Sequence, residues 1–131
     1  MDTREYTTEA VSLLRKLIAT PSTSRNETQA ADIMQSCIES YGLKAHRLRN
    51  NIWTIDPNYT PSRPTILLNA HIDTVKPVSS WTRDPFSPDI EDGTLYGLGS
   101  NDCGGGLCSL LQMFRLLTAK PQSYNLIYLA S

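Results

Sequence analysis

The sequence predicts a mixed α/β fold, a sheet with helices on its faces. Three observations predict it. Apolar residues recur at helical spacing in three separate stretches. Short β-type runs lie between and after those stretches. Two of these runs, Thr65–Ala70 and Asn125–Ser131, are nearly continuously apolar, as in strands covered on both faces. Two helices, strands, a helix and a strand form the order of a layered α/β domain.

The first helix is expected over about Thr8–Ala19, where Val11, Leu14, Leu17 and Ile18 make an apolar stripe, and Pro21 stops it. Ser24-Arg25-Asn26-Glu27 reads as a capping box for a second helix. There Ala30, Ile33, Met34, Cys37, Ile38 and Tyr41 share one face, and Gly42 is the C-terminal stop. Leu43–Arg49 and Ile52–Ile55 read as strands joined by a turn at Asn50-Asn51. Pro57–Pro64 is a loop, and Thr65–Ala70 is the first of the two buried-type strands. Lys76–Gly93 is long and irregular, a length that inside a compact domain usually carries function. Thr94–Tyr96 adds a short strand. The third helix is expected over about Gly105–Thr118, with Leu107, Leu110, Leu111, Phe114 and Leu117 on one side. A central strand normally leads onward, and this chain ends on one. The 131 residues are therefore expected to be one part of a longer polypeptide.

Composition narrows the function. A chain of this length buries roughly two-thirds of its unfolded surface, enough for a core. With 40% hydrophobic and 19% charged residues it has the balance of an ordinary soluble globular protein. A net charge of −1 without a basic block points away from nucleic acid and anionic membranes. No apolar run reaches transmembrane length. The N-terminus is polar and mixed in charge, unlike a signal peptide. Cys37, Cys103 and Cys108 are an odd, sparse set without a CxxC, so no disulfide framework is expected and the reading is cytoplasmic. Cys37 reads as a small core residue.

Two constellations carry chemistry. In Asn69-Ala70-His71-Ile72-Asp73-Thr74, His71 stands at the C-terminal end of a buried-type strand, the edge where open α/β sheets build their sites. Residues two apart on a strand face the same way, roughly 6.7 Å apart along it. An imidazole at His71 and a carboxylate at Asp73 then meet as a metal-binding histidine meets the carboxylate that fixes its tautomer. Alone, His-x-Asp is weakly specific, and a merely exposed or satisfied histidine carries the same pattern.

The second constellation is Tyr96-Gly97-Leu98-Gly99-Ser100-Asn101-Asp102-Cys103-Gly104-Gly105-Gly106. It holds five of the seven glycines, which marks tight turns or close backbone approach. Asp102 precedes a helix and could serve as its N-cap. A dinucleotide fingerprint fails because Asp102 stands where the third glycine is needed, and no Gly-Lys-Ser/Thr follows for a P-loop. What remains is a carboxylate on a glycine-lined turn, able to bridge two cations. His46, among Lys44, Arg47 and Arg49, reads as part of a solvated strand face rather than a ligand. Trp81, Asp84 and Phe86 read as anchors of the long loop.

Together these segments resemble the co-catalytic zinc aminoacylases and carboxypeptidases, a family that includes acetylornithine deacetylase and succinyl-diaminopimelate desuccinylase. The resemblance runs through Leu67–Val75, Trp81–Phe86 and Glu91–Asp102, and the opening Thr20-Pro21-Ser22-Thr23-Ser24 with Glu27 also fits. It covers nearly the whole chain in family order. It implies the N-terminal part of a zinc-peptidase catalytic domain of phosphorylase/hydrolase-like fold. It implies two zinc ions per active site, with cobalt as the alternative metal. His71 would bind one zinc and Asp102 would bridge both. Asp73 would be the catalytic-site residue that partners His71. The peptide bond after Asp102 would be cis. Many relatives have lysine where this chain has Gly104. Cys103 reads as a small residue packed beside the bridge, since a neighbouring carboxylate disfavours a thiolate.

The resemblance also implies residues that 1–131 do not hold: a glutamate general base, further acidic and histidine ligands, and a small lid domain that makes a homodimer. The expected reaction is hydrolysis of an N-acyl amino acid, N-acetylornithine first, as in arginine biosynthesis. A desuccinylase or a dipeptidase or carboxypeptidase is the alternative of the same class. The alternative of another class is a non-catalytic chain acting as a binding module, since two ligands cannot satisfy two zinc ions that want about four each.

Overall fold

A computed structural model describes residues 1–131. The helices are α1 (Thr3–Ile18), α2 (Thr28–Ser40) and α3 (Gly105–Thr118); the strands are β1 (His46–Leu48), β2 (Asn51–Ile55), β3 (Thr65–Ala70), β4 (Ile90–Glu91), β5 (Thr94–Leu95) and β6 (Asn125–Ala130). β1, β2, β6 and β3 form one sheet in that order, and β4 and β5 a separate ribbon. β2 is antiparallel to both β1 and β6, whereas β3 runs parallel to β6, so the sheet is mixed. The parallel pair needs a crossover, and α3 supplies it.

The helices lie on one face. Leu13 and Leu17 of α1, Met34 and Ile38 of α2, and Leu107, Leu111 and Phe114 of α3 share a core with Ile52, Leu126, Tyr128 and Ala130. Alternation along a strand turns the remaining residues the other way. Leu48, Trp53, Leu67, Ile127 and Leu129 accordingly line an open apolar surface on the opposite face. The mixed sheet flanked by helices is as expected. Within residues 1–131 the helices cover one face of the sheet, and β3 pairs only with β6 and leaves Ile66 and Leu67 exposed.

Local chemistry explains the shifted boundaries. α1 begins five residues before the expected start because Asp2 and Glu5 form a reciprocal capping box. α2 begins at Thr28 without a side-chain cap, so Ser24 does not cap it. Tyr41 closes α2, and Gly42 follows with φ 75°, the left-handed stop its glycine allows. The β1–β2 turn sits at Arg49-Asn50, with Arg49 at φ 56° and Asn51 already in β2. His46 stacks on Trp53 with ring centroids 5.5 Å apart, on the sheet face away from the helices. α3 has the bounds expected of it. No helix is long and apolar enough to cross a membrane.

Candidate metal centre

The centre forms where three loops converge at the C-terminal edge of β3 and β6. Ala70 and Ala130 pair at the end of the parallel ladder. Just beyond, Ile72 N–H donates to the Ser131 carbonyl at 2.7 Å, so His71 leaves the sheet with its backbone still held. Thr74 N–H then donates to the Ser22 carbonyl at 2.9 Å, and Thr23 pairs with Thr74 in a parallel bridge. The N-terminal loop thus runs beside the His71–Thr74 segment like a short extra strand.

The third loop carries Asp102. Gly97 and Gly99 take φ values of 152° and 75°, which side-chain-bearing residues rarely adopt. At Gly99 a Cβ would also collide with the Thr74 methyl group, so the glycine allows the two loops to close on each other. Ser100–Gly104 is a π-type turn in which Gly104 N–H reaches the Gly99 carbonyl at 2.8 Å. Asp102 has non-helical φ/ψ of −128° and 93°, and the Asp102–Cys103 peptide is cis. Its carboxylate caps no helix; the side chain is 87% exposed and turned to His71.

The structure brings His71, Asp73 and Asp102 together. His71 Nδ1 lies 2.8 Å from the main-chain carbonyl oxygen of Asp73. A carbonyl only accepts, so Nδ1 carries the proton and donates it there. Nε2 faces Asp102 Oδ1 at 3.0 Å. In the Nδ1–H tautomer, Nε2 presents a lone pair to a carboxylate oxygen. Two acceptors at that distance need a proton or a cation between them, so the donor set suits a metal ion. Asp73 reaches the ring through its main chain rather than its side chain, because its Oδ1 stands 3.5 Å from Nδ1. Its Oδ2 instead accepts from Ser24 Oγ at 2.8 Å.

Around these groups is a cleft of about 370 Å³ that Thr74, Val75, Trp81 and Asn101 also border. No lysine or arginine borders it. Two carboxylates without a cation favour positive charge in the cleft. No cluster of three or more His, Cys, Asp or Glu side chains suited to a metal lies in the chain, so these residues form an incomplete coordination shell. Cys103 donates its thiol to the His71 carbonyl at 3.3 Å, away from the cleft chemistry. Burial pushes that thiol up, and Asp102 and Asp73 add to the effect, so it is a poor nucleophile. Cys37 is half-buried and donates to Tyr41 Oη.

Sequence reasoning missed three features. Ser24 holds Asp73, and its only signal was its place in the Thr20–Ser24 opening. Trp81, expected to anchor the loop, also borders the cleft. The Asp73 main-chain oxygen has no signature in sequence, because every residue carries one.

Comparisons with known proteins converge on one family. Residues 67–130 match the profile described as Peptidase family M20/M25/M40. A succinyl-diaminopimelate desuccinylase of Xylella fastidiosa (strain M23) is 31% identical over 121 residues, covering 87% of this chain and 31% of that protein. Among solved structures, the M20 family metallo-carboxypeptidase Sso-CP2 from Sulfolobus solfataricus superposes with a TM-score of 0.74 at 25% identity, over all of this chain and 31% of that one. The Bacillus subtilis YXEP protein, described as a dinuclear metal-binding peptidase of the M20 family, shares the fold with a TM-score of 0.65 at 17% identity, over 97% of this chain and 35% of that one. The chain spans about a third of the length of the curated relatives it matches.

Proposed function

This chain belongs to peptidase family M20/M25/M40, and from that premise we propose that it contributes the His71–Asp102 part of a two-metal centre that hydrolyses an amide bond. The observation that carries the reading is the facing pair, His71 Nε2 and Asp102 Oδ1 at 3.0 Å, with Nδ1 already committed to the Asp73 carbonyl. Zinc is the metal we put first, with cobalt second.

When bound, the metals supply Lewis acidity toward the scissile carbonyl and toward a water. His71 would hold one ion through Nε2, its ring fixed by the Nδ1 hydrogen bond. Asp102 would share its carboxylate between that ion and a second, since it is open to the cleft apart from its contact with His71. Trp81 and Val75 would supply the apolar wall for substrate. No carboxylate besides Asp73 and Asp102 borders the cleft. Proton transfer to the leaving amine is therefore assigned to no residue of 1–131.

The substrate class proposed is a small N-acyl amino acid. The wording of the glycine turn favours N-acetylornithine, and the named relatives favour N-succinyl-diaminopimelate. The test is metal content by elemental analysis, together with hydrolysis of both compounds and of a dipeptide, using the polypeptide that carries these residues. About two metal ions, and activity lost with chelator and restored by zinc, support the proposal. A protein that retains no metal and cleaves none of the three substrates overturns it in favour of a binding module.

A further inference from the structure

The hydroxyl of Ser24 is unused by the chemistry above. Ser24 lies in a turn closed by Asn26 N–H on the Thr23 carbonyl at 2.8 Å, with Arg25 at φ 73°. That left-handed residue turns the chain away immediately after Ser24. The preceding residues are tied to the histidine segment by the Ser22–Thr74 hydrogen bond and the Thr23–Thr74 bridge. Ser22 Oγ adds a contact to the Ile72 carbonyl at 3.4 Å. Ser24 Oγ is thereby brought to Asp73 Oδ2 at 2.8 Å, across 49 positions of sequence.

We propose that Ser24 is a positioning residue for His71. By holding Asp73 Oδ2, it fixes the Asp73 side chain and hence the backbone carbonyl that takes the His71 Nδ1 proton. The same hold keeps Asp73 Oδ1 3.5 Å from Nδ1, close enough to favour a proton there without displacing the carbonyl. The ring is thus kept as the Nδ1–H tautomer, with the Nε2 lone pair aimed at Asp102. Serine, aspartate and histidine are all present, yet the order of contacts excludes a nucleophilic triad. In a triad the serine hydroxyl meets the histidine ring. Here it meets the carboxylate, and the free face of the ring belongs to Asp102. The consequence for metal affinity rests on the reading of His71 as a metal ligand; the tautomer of the ring does not.

The test compares Ser24→Ala with the pair Ser24→Thr, which keeps the hydroxyl, and Ser24→Val, which loses it at similar size. Ser24 is exposed, so all three variants should fold. Long-range nitrogen–proton NMR reads the tautomer in metal-free protein at pH 8.5, where an ordinary imidazole is neutral, with Asp102→Ala added to wild type and to every variant so that no carboxylate competes for the proton at Nε2. The chain has two histidines, and His46→Gln assigns the signals. The Nδ1–H form of His71 should dominate in wild type and Ser24→Thr, and fall several-fold in Ser24→Ala and Ser24→Val. Zinc dissociation constants, measured by chelator competition, should rise about tenfold in the variants without a hydroxyl. Equal tautomer populations in wild type, Ser24→Ala and Ser24→Val overturn the proposal. If wild type binds no zinc, the proposed function fails, and the tautomer comparison still decides the role of Ser24. If zinc binds with unchanged affinity while the tautomer shifts, Ser24 does not set metal affinity and that part is overturned.

Discussion

His71 Nε2 and Asp102 Oδ1 meet at 3.0 Å although 31 positions separate the two residues. The approach requires the end of a strand on one side and a glycine turn on the other. His71→Ala and Asp102→Asn should each lower bound metal to a small fraction of the wild-type stoichiometry. Asp102 is highly exposed, so Asp102→Asn should change folding stability by no more than about 0.5 kcal/mol. Elemental analysis and thermal denaturation read the two effects separately. An Asp102→Asn protein with full metal content would remove Asp102 from the centre.

The glycine turn makes a paired prediction. Gly99→Ala meets both a left-handed backbone and the Thr74 methyl group, and should cost about 2 kcal/mol. Gly106→Ala lies in α3 with open space around its Cβ, and should stabilise by about 0.5 kcal/mol. Urea midpoints of the two variants should move in opposite directions. Equal shifts would mean that close approach does not explain Gly99.

Alkaline stability should depend on Cys108. This thiol is buried, and burial pushes it up to about 12 from 9.0, with Cys37 and Cys103 adding. Above about pH 9 the unfolded chain loses the proton while the folded chain keeps it. Unfolding then releases a proton, so stability present below pH 9 is lost as pH rises toward 12, by up to about 1.4 kcal/mol per pH unit. Cys108→Ala should show a shallower loss between pH 8 and 10 in urea titrations. Identical slopes would contradict a protonated thiol.

Asn125 should prove the costliest polar side chain to remove. It is fully buried; its Oδ1 accepts from Thr60 N–H at 2.8 Å, and its Nδ2 donates to the Thr60 and Arg63 carbonyls at 2.9 and 3.1 Å. Asn125→Leu leaves those loop groups without partners and should cost about 3 kcal/mol. Amide hydrogen exchange should rise first at Thr60. Unchanged exchange there would show that the loop is held by other contacts.

The sequence by itself determined the parts whose physics is local. α3 keeps its expected bounds because helical spacing of Leu107, Leu111 and Phe114 is a short-range property. The turn before Asp102 was legible because only glycine takes the φ values of Gly97 and Gly99 without strain. His71 was placed at a strand end because the apolar run before it stops there. The tertiary structure decided what depends on partners distant in sequence. It set the strand order, placing β6 between β2 and β3, since order follows from pairing rather than from the composition of any one strand. It moved Ser24 from a helix cap to the Asp73 carboxylate, because a hydroxyl bonds whichever acceptor the fold brings within reach. It gave the His71 Nδ1 proton to a main-chain carbonyl instead of a carboxylate, since the choice between two acceptors of one residue turns on backbone geometry after the strand, which the identity of the residue leaves open.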